Sequence, residues 1–97
     1  MERREFDLEI MVNGILIRKV IIDSHYEKNH KDSITDEIIL SLVSTLDGQY
    51  FEAATYKDSY KYFVTDQMNL KGKSYKLIWL LEDNEIYIGV INAYRRN

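Results

Sequence analysis

The stretch Glu5-Phe6-Asp7-Leu8-Glu9-Ile10-Met11-Val12-Asn13-Gly14-Ile15-Leu16-Ile17-Arg18-Lys19-Val20-Ile21-Ile22 decides the fold. Phe6, Leu8, Ile10 and Val12 alternate with Asp7, Glu9 and Met11, the period-two pattern of a strand with one buried face. Asn13-Gly14 suits the two positive-φ positions of a type I′ turn, and a second strand rich in β-branched residues follows at once, so the stretch reads as a hairpin. Its register can be checked. Val12 opposite Ile15, Ile10 opposite Ile17 and Phe6 opposite Ile21 form apolar pairs on the dry side, while Glu9 opposite Arg18 forms an ion pair on the wet side. Straight pairing leaves one mismatch, Leu8 opposite Lys19.

Outward from the hairpin, polarity rises between Asp23 and Lys31, where a short helix capped by Asp23 or Ser24 is expected. A clearer helix spans about Asp36 to Leu46. Thr35 serves as its N-cap, Asp36 and Glu37 place negative charge in its first turn, and Ile34 can staple onto Ile39. Ile38, Ile39, Leu42, Val43 and Leu46 draw its apolar stripe, and Gly48 supplies the left-handed residue that ends helices. Aromatic and β-branched residues then predict a second hairpin, Tyr50 to Tyr56 and Tyr60 to Thr65, around Lys57-Asp58-Ser59. Asp66 to Lys73 reads as a loop. Ser74 to Leu81 and Ile86 to Arg95 read as two long strands joined by Glu82-Asp83-Asn84-Glu85. Tyr75, Leu77, Trp79 and Leu81 share one face, and with Lys76, Ile78 and Leu80 on the reverse this strand is expected to be central.

The expected fold is therefore α+β, an antiparallel sheet of five to six strands with one or two helices packed on one face. With 97 residues, no proline and four glycines there is no linker, so a single domain over 1–97 is expected. A 45% apolar and 30% charged composition is that of a folding chain rather than a disordered one. Cysteine is absent, which excludes disulfides, thiolate metal sites and a cysteine nucleophile. No apolar run reaches the roughly 20 residues of a membrane span, and Met1-Glu2-Arg3-Arg4-Glu5 leads into a strand rather than a signal peptide, so a cytoplasmic location is expected. The formal charge of −3 does not favour a polyanion, so any nucleic-acid role must rest on a local patch.

Three constellations carry possible chemistry. His25 and His30, the only histidines, sit together in the polar segment. Five residues apart, they would lie about 140° apart on a helix, which suits a zinc pair poorly. One imidazole is enough for proton transfer near neutral pH; the bland alternative is a solvated or capping histidine. Tyr94, Arg95 and Arg96 end the last strand, with Tyr94 and Arg96 on one side and Arg95 on the other. An arginine there suits a phosphate and the charge of a phosphorane-like transition state, or else merely pairs with the acidic surplus. Lys57, Tyr60 and Lys61, with Tyr56 and Tyr62, interleave bases with aromatics as RNA-binding surfaces do, and Lys71, Lys73 and Lys76 extend that patch. Tyrosines are also ordinary strand formers. Glycine-rich phosphate loops and a nucleophile elbow are missing: Lys71-Gly72-Lys73-Ser74 lacks the upstream glycine of a Walker loop.

The histidine-bearing segment from His25 to His30, the helix start Ser33-Ile34-Thr35-Asp36-Glu37-Ile38, and the strands closing on Tyr75-Lys76-Leu77-Ile78-Trp79 and Val90-Ile91-Asn92-Ala93-Tyr94 together resemble the small BrnT/RelE-like ribonuclease toxins. The likeness spans roughly Ile22 to Arg96. It implies helices on a twisted antiparallel sheet and RNA cleavage, without metal, assisted by the substrate's own 2′-hydroxyl. It further implies proton transfer by His25 or His30, and a scissile phosphate held by Tyr94, Arg95 or Arg96. The expected function is thus a toxin-like, metal-independent ribonuclease with no cofactor, whose partners are RNA and an antitoxin or other protein. The alternative is a non-catalytic interaction module, of immunity or regulatory type, whose acidic surface meets a basic partner. Self-association through the edge of the first hairpin is a third possibility.

Overall fold

The computed structural model describes residues 3–23 and 34–96. Strands β1 (Arg3–Val12) and β2 (Ile15–Asp23) form the expected hairpin. Asn13 and Gly14 hold φ of 52° and 74°, both in the left-handed region. Val12 pairs with Ile15 and Ile10 with Ile17 as read from the sequence, but the register then shifts. Leu8 and Glu9 stand against Arg18 alone, so Phe6 meets Val20 rather than Ile21, and Lys19 meets Asp7 rather than Leu8. The bulge removes the mismatch that straight pairing carried. The amides of Arg18 and Lys19 both donate to the carbonyl of Ile86, at 2.8 and 3.3 Å, which marks the accompanying kink in β2. Ile17 and Val20, an odd number of residues apart, are both buried as a result.

Helix α1 (Asp36–Ser44) begins where its signals place it: the Thr35 hydroxyl accepts from the Ile38 amide at 3.2 Å. It is shorter than expected. The amides of Thr45 and Leu46 donate three residues back, to Leu42 and Val43, so the last turn tightens and the helix stops before Leu46. Leu46 nevertheless stays buried, as do Ile39, Leu42 and Val43. The turn beyond is tied to β1: the Gly48 amide donates to the Met11 carbonyl at 2.7 Å, and Asp47 accepts from the Met11 amide at 2.8 Å. At the other end Arg4 grips Asp36 through two guanidinium nitrogens, at 2.7 and 3.0 Å.

Four further strands follow, β3 (Thr55–Lys57), β4 (Tyr60–Leu70), β5 (Lys73–Glu82) and β6 (Tyr87–Arg96). The predicted hairpin from Tyr50 is pared down to three residues on its first strand. The predicted loop Asp66–Lys73 does not exist as a loop. Strand β4 continues to Leu70 across a bulge at Asp66 and Gln67, and a two-residue turn at Lys71-Gly72 leads into β5. The bulge interrupts the alternation, which resumes one residue out of phase at Met68 and Leu70. A polar bulge followed by a polar turn looks like a loop in sequence.

The sheet has six strands in the order β1-β2-β6-β5-β4-β3. It is mixed rather than wholly antiparallel, because β2 and β6 run parallel, Lys19 beside Tyr87 through Ile22 beside Val90. The first hairpin docks on the last strand instead of on its neighbour in sequence, a pairing that no local pattern announces. Strand β5 lies inside the sheet, as its two apolar faces require. Tyr75, Leu77, Trp79 and Leu81 are buried with α1 on one face. There Phe63 stacks on Trp79 at 4.1 Å, Phe51 meets the same indole edge-on at 5.4 Å, and the indole nitrogen donates to Thr65 at 2.9 Å. The short helix expected between Asp23 and Lys31 falls mostly outside the described residues.

Candidate nucleic-acid interface

Two regions of the sheet draw together chemistry that the chain keeps apart. The first is the end at which β4 turns into β5 and β6 finishes. Lys71 is in the turn, Lys73 opens β5, and the pairs Ser74–Arg96, Tyr75–Arg95 and Lys76–Tyr94 bring the last strand alongside. Five cations, Lys71, Lys73, Lys76, Arg95 and Arg96, so gather at one end of an acidic protein. Asp66, held in the bulge, contacts Arg96 at 3.4 Å. Among the described residues no carboxylate pairs with Lys71, Lys73, Lys76 or Arg95.

Pairing fixes which way these groups face. Tyr94, Arg96 and Lys76 share the face away from α1, while Arg95 and Lys73 are on the helix side with Tyr75. Tyr94 and Arg96 therefore project together and Arg95 opposes them, as alternation predicted. The Asn92 amide donates to the Tyr94 hydroxyl at 3.0 Å, and its own oxygen takes the Ala93 amide at 2.9 Å, so the phenol is fixed from within its strand.

The second region is a hollow of about 220 Å³ on the face that α1 leaves uncovered, among Tyr60, Tyr62, Tyr87, Leu80 and the cross-strand pair Arg3 and Asp23. Gly89 forms its floor: a Cβ at that position would stand 2.9 Å from a Leu80 methyl. Tyr60 and Tyr62 are 6.3 Å apart, their rings tilted by 43°. Tyr87 donates to a Glu82 carboxylate oxygen at 2.6 Å. Burial and that carboxylate together push the Tyr87 phenol well above its usual range.

The expected substrate-binding set does not form one patch. Lys57 and Tyr60 face each other across β3 and β4 on the uncovered side, whereas Lys61 pairs with buried Leu81 on the helix side and reaches Asp83 at 4.0 Å. Successive strand residues must point oppositely, so Tyr60-Lys61-Tyr62 cannot present all its side chains to one ligand. Nor do Tyr60 and Lys57 adjoin Arg96. Tyr60 pairs with Glu82 and Arg96 with Ser74, positions separated by about 26 Å along β5. His25 and His30 lie outside the described residues. The strand that precedes them, β2, runs parallel to β6 and so heads toward the basic end.

Among the described residues no three His, Asp or Glu side chains gather as metal ligands, and no helix is long and apolar enough to cross a membrane. Sequence reasoning missed the Tyr87 contribution, because the rings that line the hollow with it, Tyr60 and Tyr62, are two strands away in sequence; its partner Glu82, only five residues back, was the available signal. Comparison with known protein families, curated proteins and solved structures returns no match to this chain.

Proposed function

We propose that this protein acts on RNA as a metal-independent ribonuclease of the toxin type. One observation carries the reading: the clustering of Lys71, Lys73, Lys76, Arg95 and Arg96 at the end of the sheet where β6 finishes. A chain with net charge −3 repels a polyanion overall, so a phosphate backbone needs such a local concentration of cations. Arg95, exposed and without a carboxylate partner among the described residues, is available for bidentate contact with a phosphate. In the reaction, the 2′-oxygen bonds to the adjacent phosphorus as its P–O5′ bond breaks, leaving a 2′,3′-cyclic phosphate and a 5′-hydroxyl. His25 or His30 takes the 2′-proton, the leaving oxygen receives a proton from an acid or water, and a guanidinium steadies the pentavalent phosphorus.

The test is to incubate single-stranded RNA with the full chain in chelator and analyse the ends. Cyclic phosphate termini are expected, with cleavage lost in His25→Ala or His30→Ala and lowered in Arg95→Ala. Intact RNA at high protein concentration contradicts the reading, as does full activity in all three variants. A second reading, an interaction module of immunity or regulatory type, is favoured by Glu82, Asp83 and Glu85 around the β5–β6 turn, at the end opposite the cations. It predicts a salt-sensitive complex with a basic protein and no cleavage.

A further inference from the structure

We infer that the tyrosine-lined hollow on the uncovered face is a base-binding subsite for single-stranded RNA whose phosphates enter at the basic end; this rests on the proposed action on RNA. The hollow shares the uncovered face with two of the cations, Lys76 and Arg96, and with Tyr94. From Lys76, Tyr94 and Arg96 the uncovered face runs along β5 past Ile78, paired with half-exposed Val64, to Leu80 beside Tyr62. Ser74 to Leu80 covers about 20 Å, the reach of a few nucleotides. At its far end the surface changes from charged to aromatic, with three phenol rings around a floor of Gly89 and Leu80.

Size and chemistry favour a base over a larger ligand. At about 220 Å³ the hollow falls below the roughly 300 to 1,000 Å³ of sites for drug-sized molecules, and suits one ring system. Phenol rings stack any base, so the subsite is tolerant of sequence. The charges at its rim are mixed: Arg3 lines the hollow opposite Asp23, and Lys57 stands opposite Tyr60 while Glu82 holds the Tyr87 hydroxyl, so the rings and not a net positive rim carry the recognition of a base. Gly89 is what keeps the floor low, since a methyl group there would force Leu80 upward.

The experiment measures anisotropy of a fluorescent ten-nucleotide oligouridylate in chelator across a salt series, beside an abasic strand of equal length. Wild-type protein is expected to bind the uridylate at least tenfold more tightly than the abasic strand. Tyr60→Leu/Tyr62→Leu should remove most of that preference and leave both the abasic affinity and the salt slope unchanged, because stacking releases few counterions. Tyr62→Phe should keep it, and unchanged abasic binding reports that the double variant is folded. Equal binding of the two strands by wild type, or an unchanged preference in the double variant, overturns the subsite while leaving the basic end intact. Absence of binding to either strand at low salt overturns the subsite and the reading on which it rests.

Discussion

Asn13 does more than turn the chain. Its amide nitrogen donates to the Phe51 carbonyl at 3.1 Å, its carbonyl oxygen accepts from the Phe51 amide at 2.6 Å, and its backbone N–H donates to Gln49 at 3.0 Å. Replacing it by glycine keeps the positive φ and removes only the two side-chain bonds, so urea unfolding should show a loss of about 1 to 2 kcal/mol. Alanine adds the left-handed strain and should cost about 1 kcal/mol more; equal stability of the two variants would contradict this division. Tyr87 makes a different prediction. Its native pKa is raised by burial and by Glu82, so the protonated phenol's contribution is complete below the unfolded value near 10 and fades as pH climbs toward the native one. Unfolding free energy should therefore fall above about pH 10, and less steeply in Tyr87→Phe. Absorbance titration should show one late-ionising tyrosine disappear in that variant. The turn at Asn13-Gly14 was legible in sequence because dihedral demands are local; the clamp on Phe51 was not, because its partner is 38 residues away.

Among the elements, α1 shows how far local signals reach. Thr35, Asp36 and the apolar stripe located its start and its buried face, and Thr35→Ala should cost about 1 kcal/mol, seen as a melting temperature lowered by about 4 to 8 °C. An unchanged melt would mean that the Arg4–Asp36 contact alone fixes that terminus. The helix end was overestimated because Leu46 belongs to the apolar stripe without belonging to the helix. Strands β1 and β4 carry the same lesson from bulges. Each is read correctly up to the interruption, and the residues beyond it change partners or phase: Phe6 in β1, Met68 in β4. In β1 the sequence held a clue, the unfavourable Leu8–Lys19 pair. In β4 the clue was a polar Asp66-Gln67 within an otherwise β-forming stretch. Tyr94 and Arg96, free of any bulge between them, were assigned to a common face correctly.

For the molecule as a whole, charge is unevenly spread along the sheet: five cations gather where β6 finishes with Asp66 among them, and at the opposite end Glu82, Asp83 and Glu85 stand beside Lys57 and Lys61. This was hidden in sequence because Lys71 to Lys76 and Arg95-Arg96 are brought together only by the β5–β6 pairing. If Lys71 in the turn and Lys76 and Arg96 on the uncovered face meet a single strand, the logarithm of RNA affinity should fall against that of salt concentration with a slope of about −2.1, and Lys76→Ala should shallow it by about 0.7. Lys61→Ala, at the other end and the other face, should leave the slope alone; a matching change there would place the RNA elsewhere. The parallel contact between β2 and β6 has a further consequence, for biosynthesis. A ribosome extrudes the first hairpin many seconds of peptide-bond formation ahead of Tyr87–Val90. Until those residues emerge, the backbone amides and carbonyls of Lys19 to Ile22 have no native acceptors or donors on that side, and the nascent polypeptide carries a sticky margin that only its own final β-segment can seal.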